Sequence, residues 1–396
     1  MTKSSRAAGD SDALGVGIIG FGWMGQVHAR AFSRLLQHYP DAPLNPRLVA
    51  VADTEASRRD SAVEAYGFEV AYPDYAQLLK RDDIDVVSVC GPNFVHKPIA
   101  VAVAQAGKHV WIEKPAGRHL TDTEQIAAAV DAAGVCSAVG FNYRNVPAVE
   151  LAREMVGAGQ LGEIEMATVK LLSDYAAHPD GALSWRFDPE YAGTGVLGDL
   201  ASHGFDLVRY VVQQRVGEIV ELVADEATFI TERPKPVGAV SHFATAAGGE
   251  LWPVGNEDQV SALLRFQSGA RGYLEASRVA VGEQCSYGLE VRGTRGALSW
   301  DFRRMGELRV AVGECYQDLP WETRLVSARA GEFAAFQPGA GVGMGFDDLK
   351  VIEADRLIRS IASGKAGGAT LDDAVRAARH VEAMVRSVEE GRWIAL

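Results

Sequence analysis

Residues 16–32 read VGIIGFGWMGQVHARAF, an apolar run that ends in G-x-G-x-x-G at Gly20, Gly22 and Gly25 and continues as an amphipathic helix pattern. Few folds accept that order of strand, glycine turn and helix. The first glycine permits a tight turn, the second lets backbone approach a pyrophosphate, and the third lets helix and strand pack closely. The helix start then offers free N–H groups and a partial positive charge. The turn Gly20, Phe21, Gly22, Trp23, Met24 and Gly25 therefore reads as a phosphate cradle for a dinucleotide.

The next apolar run, LVAVAD, ends at Asp53. An acid at that strand tip can accept hydrogen bonds from ribose hydroxyls and would repel a 2′-phosphate, which favours NAD over NADP. Arg58 and Arg59 follow one turn later and leave NADP use open. The plainer reading, that Asp53 caps the next helix, also stays open.

Strand patterns at 14–19, 47–52, 86–90, 110–112 and 135–139 alternate with helix patterns at 24–37, 56–66, 95–106 and 121–133. Continuous apolar strands separated by helices indicate a parallel sheet covered on both faces. After residue 145 the rhythm changes. A helix at 147–156 and a strand at 164–172 lead to the segment GDLASHGFDL, and strands at 219–230, 259–266, 271–277, 287–293 and 297–302 follow in succession. Such runs point to a largely antiparallel sheet. Stretches 241–256 and 326–345, rich in Gly and Ala, read as loops, and helices at 347–363 and 371–390 close the chain. The length of 396 residues is long for one core. The expected fold is α/β: a flexible tail over 1–12, a Rossmann dinucleotide-binding domain over 13–145, and a C-terminal α/β domain over 146–396 with a largely antiparallel open sheet, for substrate binding and oligomerisation.

The net charge of −13, with no basic block, argues against nucleic acid and suits a small neutral ligand. Cys90, Cys136, Cys285 and Cys315 form no C-x-x-C pair, which fits a reducing compartment. No apolar signal core and no run near the ~18 residues of a membrane span occurs, so a cytoplasmic protein without a membrane partner is expected. No third histidine or cysteine stands at metal-ligand spacing beside Asp199 and His203, so no metal is expected.

Ligands of open α/β sheets sit at the carboxyl ends of strands. CGPNFVHKPIA and WIEKPAG place Pro92, Asn93, His96, Glu113 and Lys114 at that edge. His96 either meets the cofactor or caps the helix behind Asn93, and His28, on the first helix, reads as packing. In GDLASH, Asp199 and His203 are four apart and share one face of a helix.

In order, GFGWMG, PNFVH, EKP, GFNYR and GDLASHGFDL resemble the Gfo/Idh/MocA oxidoreductases over nearly the whole chain. DYAAHPDGALSWRF is most similar to the branch acting on pyranosides and cyclitols. The resemblance implies a Rossmann domain with NAD, a second α/β domain whose outer sheet face makes homodimers or homotetramers, and a cis bond between Lys114 and Pro115. It implies Lys114, Asp199 and His203 as catalytic residues and brings the Trp185–Arg186 loop to the nicotinamide or the substrate. The chemistry of these residues agrees. Oxidising a secondary alcohol needs a hydride acceptor and a base, and imidazole, with an unperturbed pKa of ~6.5, suits the second role. Lys114 can stabilise the oxygen's developing charge, alone or in a relay with His203. Asp199 can bind a neighbouring hydroxyl or hold the other two in place. Tyr143, Arg144, Asp174, His178 and Trp185 are further candidates for substrate contact. The implied reaction is NAD(P)-dependent oxidation of a ring hydroxyl of a sugar, glycoside, anhydrosugar or cyclitol. A glycoside-cleaving enzyme with an internal NAD redox cycle and a non-catalytic dinucleotide-binding regulator are the alternatives.

Overall fold

A computed structural model describes residues 12–236, 244–246 and 248–396. Apart from Asp12, the expected tail lies outside the described residues, as do positions 241–243 and 247 of the first expected loop. The chain divides into two units: Met1–Ala116, Glu124–Gly140 and Gly345–Asp372 form the first, and Gly117–Thr123, Phe141–Met344 and Asp373–Leu396 the second.

In the first unit the elements run β1 (Ala13–Ile19), α1 (Trp23–His38), β2 (Asn45–Ala52), α2 (Ala56–Tyr66), β3 (Val70–Tyr72), α3 (Tyr75–Leu79), β4 (Val86–Val89), α4 (Asn93–Gln105), β5 (His109–Ile112), α5 (Leu120–Ala133, from Glu124 on) and β6 (Ser137–Val139). The strands pair in parallel in the order β3-β2-β1-β4-β5-β6. This is the Rossmann order, and it reverses between β1 and β4, where ligands of such sheets bind. Val16, Ile18, Val49, Val51, Val87 and Val110 are completely buried, which is why these strands read as unbroken apolar runs. Burying each such side chain contributes about 1.5–3 kcal/mol. β3 and α3 escaped the sequence pattern because each is a few residues long and β3 is half-buried throughout.

The second unit continues with α6 (Pro147–Gly157), β7 (Ile164–Leu172), α7 (Pro189–Ala192), α8 (Ser202–Val216), β8 (Ile219–Ala227), β9 (Glu232–Pro234), β10 (Leu251–Pro253), β11 (Gln259–Phe266), β12 (Arg271–Ser277), β13 (Ser286–Gly293), β14 (Gly296–Asp301), β15 (Glu307–Val312) and β16 (Glu322–Leu325). After α9 (Phe346–Ser363) come α10 (Leu371–Glu390) and β17 (Ile394–Ala395). Its nine-stranded sheet has the order β16-β15-β14-β13-β7-β12-β11-β8-β17. β7 and β12 run parallel, and the other described neighbours antiparallel. Alternation in β11 buries Val260, Ala262, Leu264 and Phe266 and leaves Leu263 half exposed, so one face meets the core. β10 lies inside the expected loop 241–256 and pairs with β9, and β15 to β17 extend the sheet beyond the strands the sequence pattern showed.

α9 departs from the expected division at residue 145. It belongs to the first unit, where Asp347 and Asp348 of its first turn pair with Arg30 (2.5 Å) and Arg34 (2.8 Å) of α1. The pairs add to an apolar face of α9 that is itself buried, including Leu349, Val351, Ile352 and Ile358, and neither helix shows the pairing alone.

Candidate active site

In the first unit, Gly20 has φ +88°, and a Cβ there would come within 2.7 Å of the Gly91 nitrogen. At Gly25 a Cβ would lie 2.1 Å from the Gly20 carbonyl oxygen. At Gly22, by contrast, a Cβ would face open space, with Arg58 Nη1 nearest at 4.0 Å. Gly22 is also the N-cap of α1, where no side chain caps the helix and no acid stands in the first turn. The uncapped helix start and the room over Gly22 fit the pyrophosphate of a dinucleotide. Trp23 is exposed beside this turn and stacks on Phe346 (5.3 Å between ring centres), and Met24 is half-buried. Phe21 is fully buried, edge-on to Tyr66 and Phe68, so its side chain shapes the turn from the core side.

Asp53 locks that shape. Its Oδ2 accepts the Phe21 N–H (2.6 Å), its Oδ1 accepts the Glu55 N–H (2.8 Å), and Arg58 Nη1 lies 3.6 Å from Oδ2. It does not cap α2, whose N-cap is Glu55. Arg59 donates to the carbonyls of Asp53 and Thr54, and Arg58 stays half-exposed.

At the ends of β4 and β5, Pro92 and Asn93 open α4. His96 is buried, with Nδ1 2.9 Å from the Pro115 carbonyl oxygen and Nε2 2.8 Å from that of Gly91. Burial lowers its pKa. The ring sits between two loops, its single N–H donating to one of these carbonyls, rather than capping behind Asn93. Lys114 is half-buried, and the Lys114–Pro115 bond is cis, as the resemblance implied. The Glu113 carboxylate is buried against Lys350 Nζ (2.5 Å) and His28 Nε2 (2.9 Å). Burial works against its charge, but Lys350 and His28 hold its pKa well below the usual carboxylate range.

In the second unit, Asp199 sits in a π-helical turn, Leu197–Ala201, that runs into α8. Such one-residue-wider turns are often found at functional sites. The Tyr175 hydroxyl donates to Asp199 Oδ2 (2.7 Å), and burial together with the Asp199 charge raises the phenol's pKa. His203, in the first turn of α8, is buried against Tyr143 (4.7 Å between ring centres) and Phe141 (5.9 Å). Tyr143 in turn meets Tyr287 (5.8 Å) and Phe302 (5.3 Å), so the histidine stands at one end of an aromatic wall.

Neighbouring candidates part ways. The Arg144 guanidinium is buried on Asp206 (Nε to Oδ2 2.7 Å) and Asp373 (3.1 Å) as part of the scaffold. Burial raises Asp206 to about 6 against the pull of Arg144. Asp174 is half-buried, and the exposed His178 accepts the Asp180 N–H through Nδ1. Arg186 lies over one face of Trp185 (4.4 Å), and the Arg186 carbonyl accepts from Asn256 Nδ2 (2.7 Å). The following Phe187 is flanked by Arg233 (4.2 Å) and Arg278 (4.7 Å), which pins this loop. Among the described residues, no cluster of His, Cys, Asp and Glu suits a metal ion, and no helix is long and apolar enough to cross a membrane.

Residues 14–141 match the oxidoreductase family with an NAD-binding Rossmann fold, and residues 149–299 match the GFO/IDH/MocA C-terminal domain. Levoglucosan dehydrogenase of Pseudarthrobacter phenanthrenivorans is 33% identical over 96% of this chain and 97% of its own. This chain belongs to the Gfo/Idh/MocA oxidoreductases. Inositol 2-dehydrogenase of Rhizobium meliloti is 30% identical over 87% of this chain and 96% of its own. A solved levoglucosan dehydrogenase in complex with NADH and levoglucosan superposes with a TM-score of 0.88 at 32% identity, covering 97% of this chain and 99% of that one. As a Gfo/Idh/MocA member, the protein is an NAD(P)-dependent oxidoreductase acting on CH–OH groups, and its first unit is an NAD-binding Rossmann fold.

Tyr175 and Lys350 are the residues that sequence reasoning missed. Tyr175 lies between two polar candidates, Asp174 and His178, and nothing in its spacing sets it apart. Lys350 sits on an ordinary helical face and gives no signal before the fold buries it.

Proposed function

We propose that this oxidoreductase converts a ring hydroxyl of a neutral sugar, glycoside, anhydrosugar or cyclitol to a ketone, with NAD as acceptor. The observation that carries this is the second unit's grouping of Asp199, Tyr175, His203 and Tyr143: a carboxylate held by a phenol beside an imidazole set on an aromatic wall. Such a surface offers hydroxyl acceptors and flat apolar faces, which suits an uncharged polyol ring. The relatives named for levoglucosan and inositol support the same substrate class.

His203 accepts the hydroxyl proton on an imidazole nitrogen. Lys114 donates a hydrogen bond to the same oxygen as negative charge grows on it. Asp199 accepts from a neighbouring hydroxyl and orients the ring, with Asp174 and Trp185 as further contacts. Bound NAD supplies the hydride acceptor. Gly20, Gly22, Trp23, Met24 and Gly25 would hold its pyrophosphate, with Pro92 and Asn93 at the same sheet edge. Asp53 would accept from its ribose hydroxyls, and the half-exposed Arg58 would leave room for NADP. The exposed sheet face around Val220 and Leu263 pairs copies of the chain into a dimer or tetramer.

The test is a screen of cyclitols, free pyranoses, glycosides and anhydrosugars with NAD and with NADP, followed by NADH absorbance. Net accumulation of reduced cofactor with at least one of these classes is expected. Cleavage of a glycoside without net NADH would overturn the reading. Tyr175→Phe removes a hydrogen bond to a carboxylate, worth about 1.5–3 kcal/mol. A fall of about tenfold or more in kcat/KM with unchanged NAD affinity is expected on that basis. Steady-state kinetics and cofactor titration check it.

A further inference from the structure

Lys350 is fully buried, which is rare for lysine and costly without partners. Its ammonium meets Glu113 Oε1 at 2.5 Å and Glu353 Oε1 at 3.0 Å. Glu353 Oε1 also accepts from Trp111 Nε1 (2.6 Å), one strand residue before Ile112. His28 stacks on Trp111 at 3.7 Å and reaches Glu113 through Nε2. Burial lowers the His28 pKa to about 4, so the ring is neutral near pH 7 and its Nε2–H donates to the carboxylate. Helices α1 and α9 thus both clamp Glu113. At the end of β6, a Cβ on Gly140 would come within 2.5 Å of Glu113 Oε1, so glycine there leaves room for the carboxylate.

Buried ion pairs are seldom the most stable way to fill a core. This pair grips the residue directly before Lys114. The carbonyl of Pro115, directly after it, lies 2.9 Å from His96 Nδ1. The chain is therefore gripped through the Glu113 carboxylate just before the lysine and lies against the His96 ring of α4 just after it.

We propose that Lys350 and Glu113 form a positioning pair that acts on the reaction through Lys114, fixing the turn that presents its ammonium. The inference rests on the reading of Lys114 as the residue that stabilises the substrate oxygen. A misplacement of about 1 Å in such a group can cost about 10²-fold in rate.

The experiment compares kcat, KM, NAD affinity and circular dichroism for Lys350→Met, Glu113→Gln, Lys114→Ala and the double variant Lys350→Met/Lys114→Ala. Glu113→Gln keeps the side chain's size and leaves Lys350 paired with Glu353, so it provides a folded variant should Lys350→Met fail to fold. Lys350→Met and Glu113→Gln are expected to lower kcat by about 10- to 100-fold while NAD affinity stays within about threefold of wild type. In the Lys114→Ala background, Lys350→Met is expected to add no further loss, because its effect runs through the missing ammonium. Losses that multiply in the double variant overturn the inference, as does a folded Glu113→Gln enzyme with wild-type kcat. A Lys114→Ala enzyme with wild-type kcat overturns the Lys114 reading itself, and the inference with it. The single lysine variant tells the two failures apart.

Discussion

His203→Ala is expected to lower kcat by about 10²- to 10⁴-fold, the range a general base contributes. The imidazole is buried in the first turn of α8 and braced by Tyr143 and Phe141, so its position is set before substrate arrives. Asp199 stands one turn earlier, its Oδ2 accepting from the Tyr175 hydroxyl, and its proposed place is at the neighbouring substrate hydroxyl. The glycine turn proposed to hold the cofactor belongs to the first unit and contains none of the residues around His203, and NAD affinity is expected to stay near wild type. Losing the two aromatic contacts costs about 1–3 kcal/mol of stability, below the about 5–15 kcal/mol of a typical domain. Stopped-flow or steady-state turnover, cofactor titration and a thermal melt together decide the matter. Turnover within about threefold of wild type would remove His203 from the role of base.

Gly25→Ala has the second large effect, and it arises from space. The new Cβ would sit 2.1 Å from the Gly20 carbonyl oxygen and 3.1 Å from its carbon. Both are backbone atoms of the glycine turn, so no side chain can swing aside. Either α1 tilts away or the turn opens, and both deform the cradle over Gly22. Overpacking of this kind costs about 1–3 kcal/mol and occasionally more. A lower melting temperature is expected, together with NAD affinity weakened by about tenfold or more, since each 1.4 kcal/mol of distortion charged to the bound state is one decade. Cofactor titration by tryptophan fluorescence checks it, with His203→Ala as the control that leaves the cradle alone. An unchanged dissociation constant would show that the close approach at Gly25 is not needed for binding.

The glycine turn was legible because its geometry is local. Gly20, Gly22 and Gly25 answer to one turn and one helix start, and all three belong to a single strand–turn–helix. The strand at 86–90 and its loop were legible for the same reason. Tyr143 and Arg144 show where such reading stops. They are adjacent in the short 3₁₀ turn Asn142–Asn145, yet Tyr143 leans on His203 while Arg144 turns to Asp206 and Asp373. Their order in the chain carries no hint of that division. Glu113 is similar: strand logic placed it at the ligand edge, and the fold turned its carboxylate inward to Lys350.

By itself the sequence determined the α/β class and the strand–glycine turn–helix at its start, because hydrophobic period and glycine spacing are properties of contiguous residues. Tertiary structure alone decided that α9 joins the first unit, that Lys350 is the buried partner of Glu113, and that Tyr175 holds Asp199. The physical reason is range. Burial and ion pairing depend on which surfaces meet in three dimensions, and the residues that meet here lie from tens to more than two hundred positions apart in the chain.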